Sequence, residues 1–115
     1  MRAKRSLGQN FLVDPNIQRK IVAAVEAGPA DEVLEIGPGT GALTRHLAAQ
    51  AGRVVAIEKD DDLAAALREE FEGAPQVEVV HGDVLEVDLA ALVREPDRVK
   101  VVGKIPYNIT SPLLF

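Results

Sequence analysis

The 115 residues suffice for one small domain, whose folding buries about 60–70% of the extended chain's surface; with 47% hydrophobic and only 3% aromatic residues, its core must be aliphatic. The absence of cysteine removes disulfides and thiolate metal sites. No apolar run approaches the roughly 20 residues of a membrane span and no signal core follows Met1–Arg5, so a soluble, cytoplasmic protein without a membrane partner is expected. The net charge of −5 is unevenly placed: residues 1–20 and 98–115 are basic and 21–97 strongly acidic, which suits either a solvated tail or two ends facing a polyanion.

Taken in chain order, the pattern alternates between helical and strand periods. Asp14-Pro15 is an N-cap followed by proline at the first helical position; Ile17, Ile21, Val22 and Val25 form an apolar stripe, and Gly28-Pro29 ends it. Glu32–Ile36 reads as a short buried strand, 40–50 as a helix with Leu43 and Leu47 inward, and Arg53–Ile57 as a second strand. Asp60–Phe71 opens with three aspartates, favourable at a helix N-terminus, and spaces Leu63, Leu67 and Phe71 along one face. Gln76–Val80 is a third strand, Asp88–Val93 a short helix and Arg98–Gly103 a fourth strand, after which Ser111-Pro112 is expected to cap another helix.

Strands alternating with helices imply right-handed crossovers and a doubly wound α/β sandwich with a parallel sheet. In such sheets ligands sit beyond the carboxyl ends of the strands, so the informative residues are those that follow each strand. Here they are Gly37–Gly41, Glu58–Asp60, His81–Asp83 and Lys104–Tyr107, and all four groups should lie on one rim.

The loop Glu35–Thr44, EIGPGTGALT, fits more than one cofactor. Gly37-x-Gly39-x-x-Ala42 satisfies the dinucleotide fingerprint, with Glu58 about where that fingerprint places its ribose acid. Asp83 favours a different reading. An acid after the third strand can accept from an exocyclic amine while Glu58 takes two vicinal ribose hydroxyls, and together they would clasp an adenosine without phosphate. Plain structural readings remain open: a tight turn at the glycines, Asp83 capping the next turn, and Glu58 as one more acid in an acidic run. His46 and His81 form no nucleophile–base–acid set, and no spacing supports a metal site.

The segments LGQNFL (Leu7–Leu12), EIGPGTGALT, VVAIEKD (Val54–Asp60), HGDVL (His81–Leu85) and IPYNITSPLLF (Ile105–Phe115) together resemble the small-subunit ribosomal RNA adenine N6,N6-dimethyltransferases, with the erythromycin-resistance RNA methylases as near relatives. The likeness runs along the whole chain. It implies a Rossmann-like class I S-adenosylmethionine-dependent methyltransferase fold, with residues 1–115 as the N-terminal part of a single methyltransferase domain that stops after the fourth parallel strand. The further strands and a C-terminal helical domain of the family would then be missing, leaving strand four as an exposed edge.

The resemblance also implies S-adenosylmethionine as cosubstrate without a metal, and small-subunit ribosomal RNA or a pre-30S particle as partner, with no stable protein partner. It places Asn10, the Leu12 backbone, Gly37, Gly39, Glu58, Asp83 and Lys104 at the cofactor, and Lys104, Ile105, Pro106 and Tyr107 at the target base, with Tyr107 stacked on an extruded adenine. At Lys104 the chain departs from the family, which has asparagine there. A protonated lysine has three donors and no acceptor, so it cannot hold an amino group as an amide does, and it brings positive charge toward a sulfonium. It is expected to pair with Asp83 or Glu58, or to swing toward RNA phosphate. Two other readings stand beside the enzyme: a non-catalytic S-adenosylmethionine- or RNA-binding fragment, and a piece of an NAD-dependent oxidoreductase.

Overall fold

The computed structural model describes residues 14–104 and 110–113, with side chains placed at 14–103. Asp14 opens the first helix, α1 (Pro15–Val25), its carboxylate accepting from the backbone N–H groups of Asn16 and Ile17 at 2.9 and 3.4 Å. The helix stops earlier than Gly28, where Glu26 turns into the left-handed region at φ 54 and its N–H reaches the Ala23 carbonyl. Val22 and Val25 are buried on the inner face and Ile17 stays exposed.

Strands β1 (Glu32–Ile36), β2 (Arg53–Glu58), β3 (Val77–His81) and β4 (Val99–Lys104) alternate with helices α2 (Ala42–Gln50), α3 (Asp61–Glu70) and the single turn α4 (Leu89–Leu92). Each observed boundary lies within two residues of the pattern-based one. The largest shift is at α2, whose start is delayed from Thr40 to Ala42 because the loop before it runs through left-handed glycines up to Gly41. Asp60 and Asp88 cap α3 and α4 by accepting from Leu63 and Ala91 N–H.

The sheet order is β3-β2-β1-β4-β5, with β1 to β4 mutually parallel and β5 (Thr110–Leu113) antiparallel to β4. This last strand corrects the expected helix start at Ser111-Pro112. It also means that β4 is not an edge, since its second side is paired from Val101 to Lys104. A backbone edge left unpaired is a liability, and pairing it with the returning chain removes that liability. Pro112 is compatible with a strand here because β5 is itself the outer strand, the position in which a missing N–H is tolerated.

Two apolar layers cover the sheet. On one face Val33, Val54 and Val102 meet Val22 and Val25 of α1 and Leu43 and Leu47 of α2. On the other, Leu34, Val55, Ile57 and Val101 are covered by Val84, Val87, Leu89 and Leu92 from the stretch between β3 and β4. Being buried on both faces, β1 and β2 read as near-continuous apolar runs.

Glu32 interrupts the first of these runs at its buried start, 2% exposed. Burial alone would raise its pKa, but N–H donation from Glu95 and Arg94 and the Arg53 guanidinium outweigh it and hold the carboxyl below its usual range. Arg53 in turn bridges to Glu78 and to the Leu92 carbonyl, so this one carboxylate ties β1, β2, β3 and the approach to β4 together. Glu32→Ala leaves two backbone donors without their acceptor and takes one of the three partners of a part-buried guanidinium, and a stability loss of about 2–4 kcal/mol is expected by chemical denaturation. A change within experimental error would show that the network is ornamental.

Candidate functional site

The site starts from a reversal of the chain. After β1, Gly37, Gly39 and Gly41 take φ values of 69, 60 and 86, a sequence of left-handed residues that side-chain-bearing amino acids rarely adopt. The loop is fixed from below by Gly37 N–H donating to the Ile57 carbonyl (2.9 Å) and closed by Gly41 N–H donating to Pro38 (3.0 Å). Among the described residues a Cβ added at Gly37 or Gly39 would meet no atom within 4 Å, so no described side chain crowds the outer side of the loop, at a level where a ligand can approach the backbone. Gly41 differs: a Cβ there would lie 2.8 Å from Leu67 Cδ2, because α3 packs directly against the loop.

Register brings the expected groups to one rim. Ile36 pairs with Ile57 on one side and Gly103 on the other, so Gly37, Glu58 and Lys104 follow at the same level, and Glu58 pairs in turn with His81, two residues before Asp83. Glu58, 6% exposed, accepts from Gly39 N–H with one carboxylate oxygen and from Asp60 N–H with the other, each at 2.9 Å. Each oxygen of a carboxylate offers about two acceptor sites, so Glu58 keeps one on each for a pair of hydroxyls.

Asp83 combines two of the readings left open by the sequence. One oxygen accepts from Leu85 N–H at 2.9 Å and so caps the following turn, while the other faces Lys59 Nζ at 3.7 Å and retains acceptor capacity. Lys59 is itself 81% exposed. Among the described residues Glu58 has the two backbone donors already named, and the side chain of Lys104 lies outside the described set, as do Asn10, Leu12, Ile105, Pro106 and Tyr107. His81 is engaged with Asp61 at 2.5 Å and with the Lys59 carbonyl at 3.2 Å, and it joins no nucleophile.

Sequence reasoning placed Glu35 at the head of the glycine loop and Lys59 on the rim but gave neither a role of its own. Glu35 lies on β1 under the loop, 3% exposed, where its Oε1 accepts from the hydroxyl of the fully buried Thr44 at 2.5 Å. Burial pushes its carboxyl up to about 7, the Thr44 hydroxyl pulling the other way and the Glu58 charge adding to the rise. The signal was present, since a glutamate between Leu34 and Ile36 interrupts a buried strand. An open glycine loop, a two-oxygen acceptor at Glu58 and a further acceptor at Asp83 fit the methionine and adenosine parts of S-adenosylmethionine.

The profile of the ribosomal RNA adenine dimethylase family matches residues 1–115. The ribosomal RNA small subunit methyltransferase A of Geobacter metallireducens is 48% identical over 117 residues, covering 100% of this chain and 42% of its own length. That of Moorella thermoacetica is 53% identical over 96% of this chain and 41% of its own. Among solved structures, the 23S rRNA methyltransferase ErmE superposes with a TM-score of 0.66 at 32% identity, covering 85% of this chain and 49% of that one. A dimethyladenosine transferase from Plasmodium falciparum gives 0.64 at 25% identity over 81% and 42%. The chain therefore spans about two-fifths of the length of the curated relatives it matches.

Two consequences are measurable. Gly39→Ala should cost about 1–2 kcal/mol in stability from its left-handed φ alone, whereas Gly41→Ala adds the clash with Leu67 and should cost more; equal losses by denaturation would contradict the packing of α3 on the loop. The raised Glu35 pKa also sets a sign: the native state holds this proton where the unfolded chain has lost it, so the contribution is full below the ordinary glutamate range and disappears as pH rises through about 7. Between about pH 5 and about pH 8 the protein should lose about 2–3 kcal/mol relative to Glu35→Gln, and a flat difference would overturn the assignment.

Proposed function

Because the chain belongs to the ribosomal RNA adenine dimethylase family, we propose that it forms the cofactor-binding part of an S-adenosylmethionine-dependent methyltransferase. Its target would be N6 of adenines in small-subunit ribosomal RNA, giving N6,N6-dimethyladenosine during ribosome biogenesis in the cytoplasm. The observation that carries this reading is the pair of acceptors, Glu58 and Asp83, at the ends of neighbouring strands beside an open glycine loop.

In this reading Glu58 accepts the two ribose hydroxyls with the lone pairs left free by Gly39 and Asp60, and those two N–H groups hold its carboxylate in place beforehand. Asp83 accepts from the adenine amine, displacing or sharing the Lys59 ammonium. Gly37 and Gly39 let the backbone approach the methionine portion closely. S-adenosylmethionine supplies a methyl group already activated on a sulfonium, so the protein's task is proximity and orientation, with no covalent enzyme intermediate. Asn10 and Leu12 would complete the cofactor side, and the Lys104–Tyr107 segment would receive the flipped adenine, with Tyr107 stacking on its face. Small-subunit RNA, presented on a pre-30S particle, is the partner that the basic ends of the chain suit.

A second reading, a binding unit without turnover, is favoured by Lys104, whose ammonium lacks the acceptor that orients an attacking amine. Calorimetric titration should give binding of S-adenosylhomocysteine and none of NAD; the reverse would return the glycine loop to the dinucleotide class. In a chain extended to the relatives' length, labelled-methyl transfer to undermethylated small subunits should be slower than in its Lys104→Asn variant. Equal single-turnover rates would remove Lys104 from the reacting centre.

A further inference from the structure

The sheet order leaves β3 at one end, with β2 on its inner side. In a parallel pair every second residue turns both its N–H and its C=O to the neighbouring strand. Here the Gln76 carbonyl accepts from Val54 N–H at 2.8 Å and Gly82 N–H donates to the Glu58 carbonyl at 2.9 Å, so Glu78 and Val80 between them also serve β2. Val77, Val79 and His81 therefore point their backbone groups outward. Val77 N–H turns back to the Ala74 carbonyl at 3.0 Å, and the Val79 carbonyl takes Arg68 Nε at 3.4 Å, a long bond from an exposed side chain. Among the described residues no hydrogen bond reaches the N–H groups of Val79 and His81.

Beside this edge, between the end of α3 and β3, lies a hollow of about 310 Å³ with Phe71, Pro75, Val77 and Val79 in its wall and Arg68 and Glu72 among its charged lining. Val77 and Val79, two residues apart, share one face of the strand and are half-buried. A strand added outside β3 would hold every second side chain over that hollow, so unpaired backbone groups and an apolar socket coincide. The charge around them is one-sided. Between residues 59 and 88 ten acidic side chains stand against Lys59, Arg68 and His81. Glu72 is exposed and makes no ion pair among the described residues, while Glu78 at the hollow's wall shares the Arg53 guanidinium with Glu32. A nucleic-acid phosphate chain is repelled by such a surface, and a basic polypeptide is attracted to it.

We propose that the outer edge of β3 is a docking strip for an extended, lysine- or arginine-rich polypeptide segment, which adds to the sheet as a further strand. Its backbone displaces Arg68 from the Val79 carbonyl and pairs with the N–H groups of Val79 and His81. One of its apolar side chains enters the hollow, and its cations meet Glu72 and Glu78. In the unbound chain Arg68 is the cover that blunts the edge, as charged side chains on edge strands do. The proposal stands apart from the cofactor reading, since none of these groups belongs to the glycine loop or to the Glu58 and Asp83 acceptors.

The test is titration of the chain with a blocked heptapeptide of alternating lysine and valine, followed by anisotropy and by amide hydrogen exchange in NMR. The peptide should bind, and its counterpart with glutamate for lysine should bind at least about tenfold more weakly. At saturation, exchange of the Val79 and His81 amides should slow by about tenfold or more, whereas Glu78 and Val80, already bonded to β2, change little. Arg68→Ala removes the cover and should tighten binding several-fold; Glu72→Lys should weaken it by a similar factor. Val79→Pro takes away an outward N–H and no ladder bond, a change tolerated on an edge, and should abolish binding with the denaturation midpoint little altered.

A peptide that does not bind overturns the proposal, as does protection that lacks the alternation between outward and inward amides. Equal binding of the glutamate peptide, or tighter binding of an RNA oligonucleotide at the same amides, also sinks it. Should Arg68→Ala pair with itself in the absence of peptide and exclude it, the strip belongs to a second copy of the chain and the basic segment is the wrong occupant.

Discussion

A single carboxylate holds the rim of this molecule together. Glu58 ends β2, and its two oxygens reach in opposite directions, one to the N–H of Gly39 in the loop after β1 and the other to the N–H of Asp60 at the start of α3. A loop with a left-handed glycine at every second position has few side chains of its own with which to hold a shape, so much of its geometry is imposed from outside. Glu58 imposes it from one side and Leu67, packed against Gly41, from another. The same oxygens keep free lone pairs for the hydroxyls of the proposed ribose contact, so in that reading the bonds that shape the loop also aim the carboxylate.

The lower end of the sheet obeys the same logic with a different purpose. Glu32 has as little exposed surface as Glu35 but lies nearer the outside of the protein, and its donors and the Arg53 guanidinium keep it below the usual carboxylate range. Glu35, three residues along the same strand, is pushed the other way by burial first and by the like charge of Glu58, with the Thr44 hydroxyl alone opposing the rise. Burial alone therefore does not decide what a carboxylate does. Its donors and its neighbouring charges decide with it, and they separate the fastened Glu32 at the amino end of β1 from Glu35 near the carboxyl end, whose carboxyl is pushed up by burial and by Glu58.

The family also illuminates where a pattern can mislead. Ser111-Pro112 has the composition of a helix start, but β4 presented an open backbone edge, and the returning segment pairs with it as β5. Local propensity gave way to hydrogen bonds that only exist once β4 is in place. Lys59 also comes within 3.7 Å of Asp83, because the turn from β2 into α3 passes beside the end of β3, a neighbourhood that residue order does not announce.

The alternation of periods, the caps at Asp14 and Asp60, the glycine loop and the acids after β2 and β3 were all readable from residue order, because each depends on neighbours within a few positions. From those the doubly wound α/β class and the family followed. Sheet order, the antiparallel β5, the bridging role of Glu58 and the isolation of Glu35 were not readable in that way. Each is decided by groups 6 to 25 or more residues apart in sequence, as the Lys104–Thr110 register pair and the Thr44–Glu35, Gly39–Glu58 and Arg53–Glu78 contacts are. Which donors reach a buried carboxylate is a property of packed elements, and the chain acquires it only when the strands have chosen their neighbours.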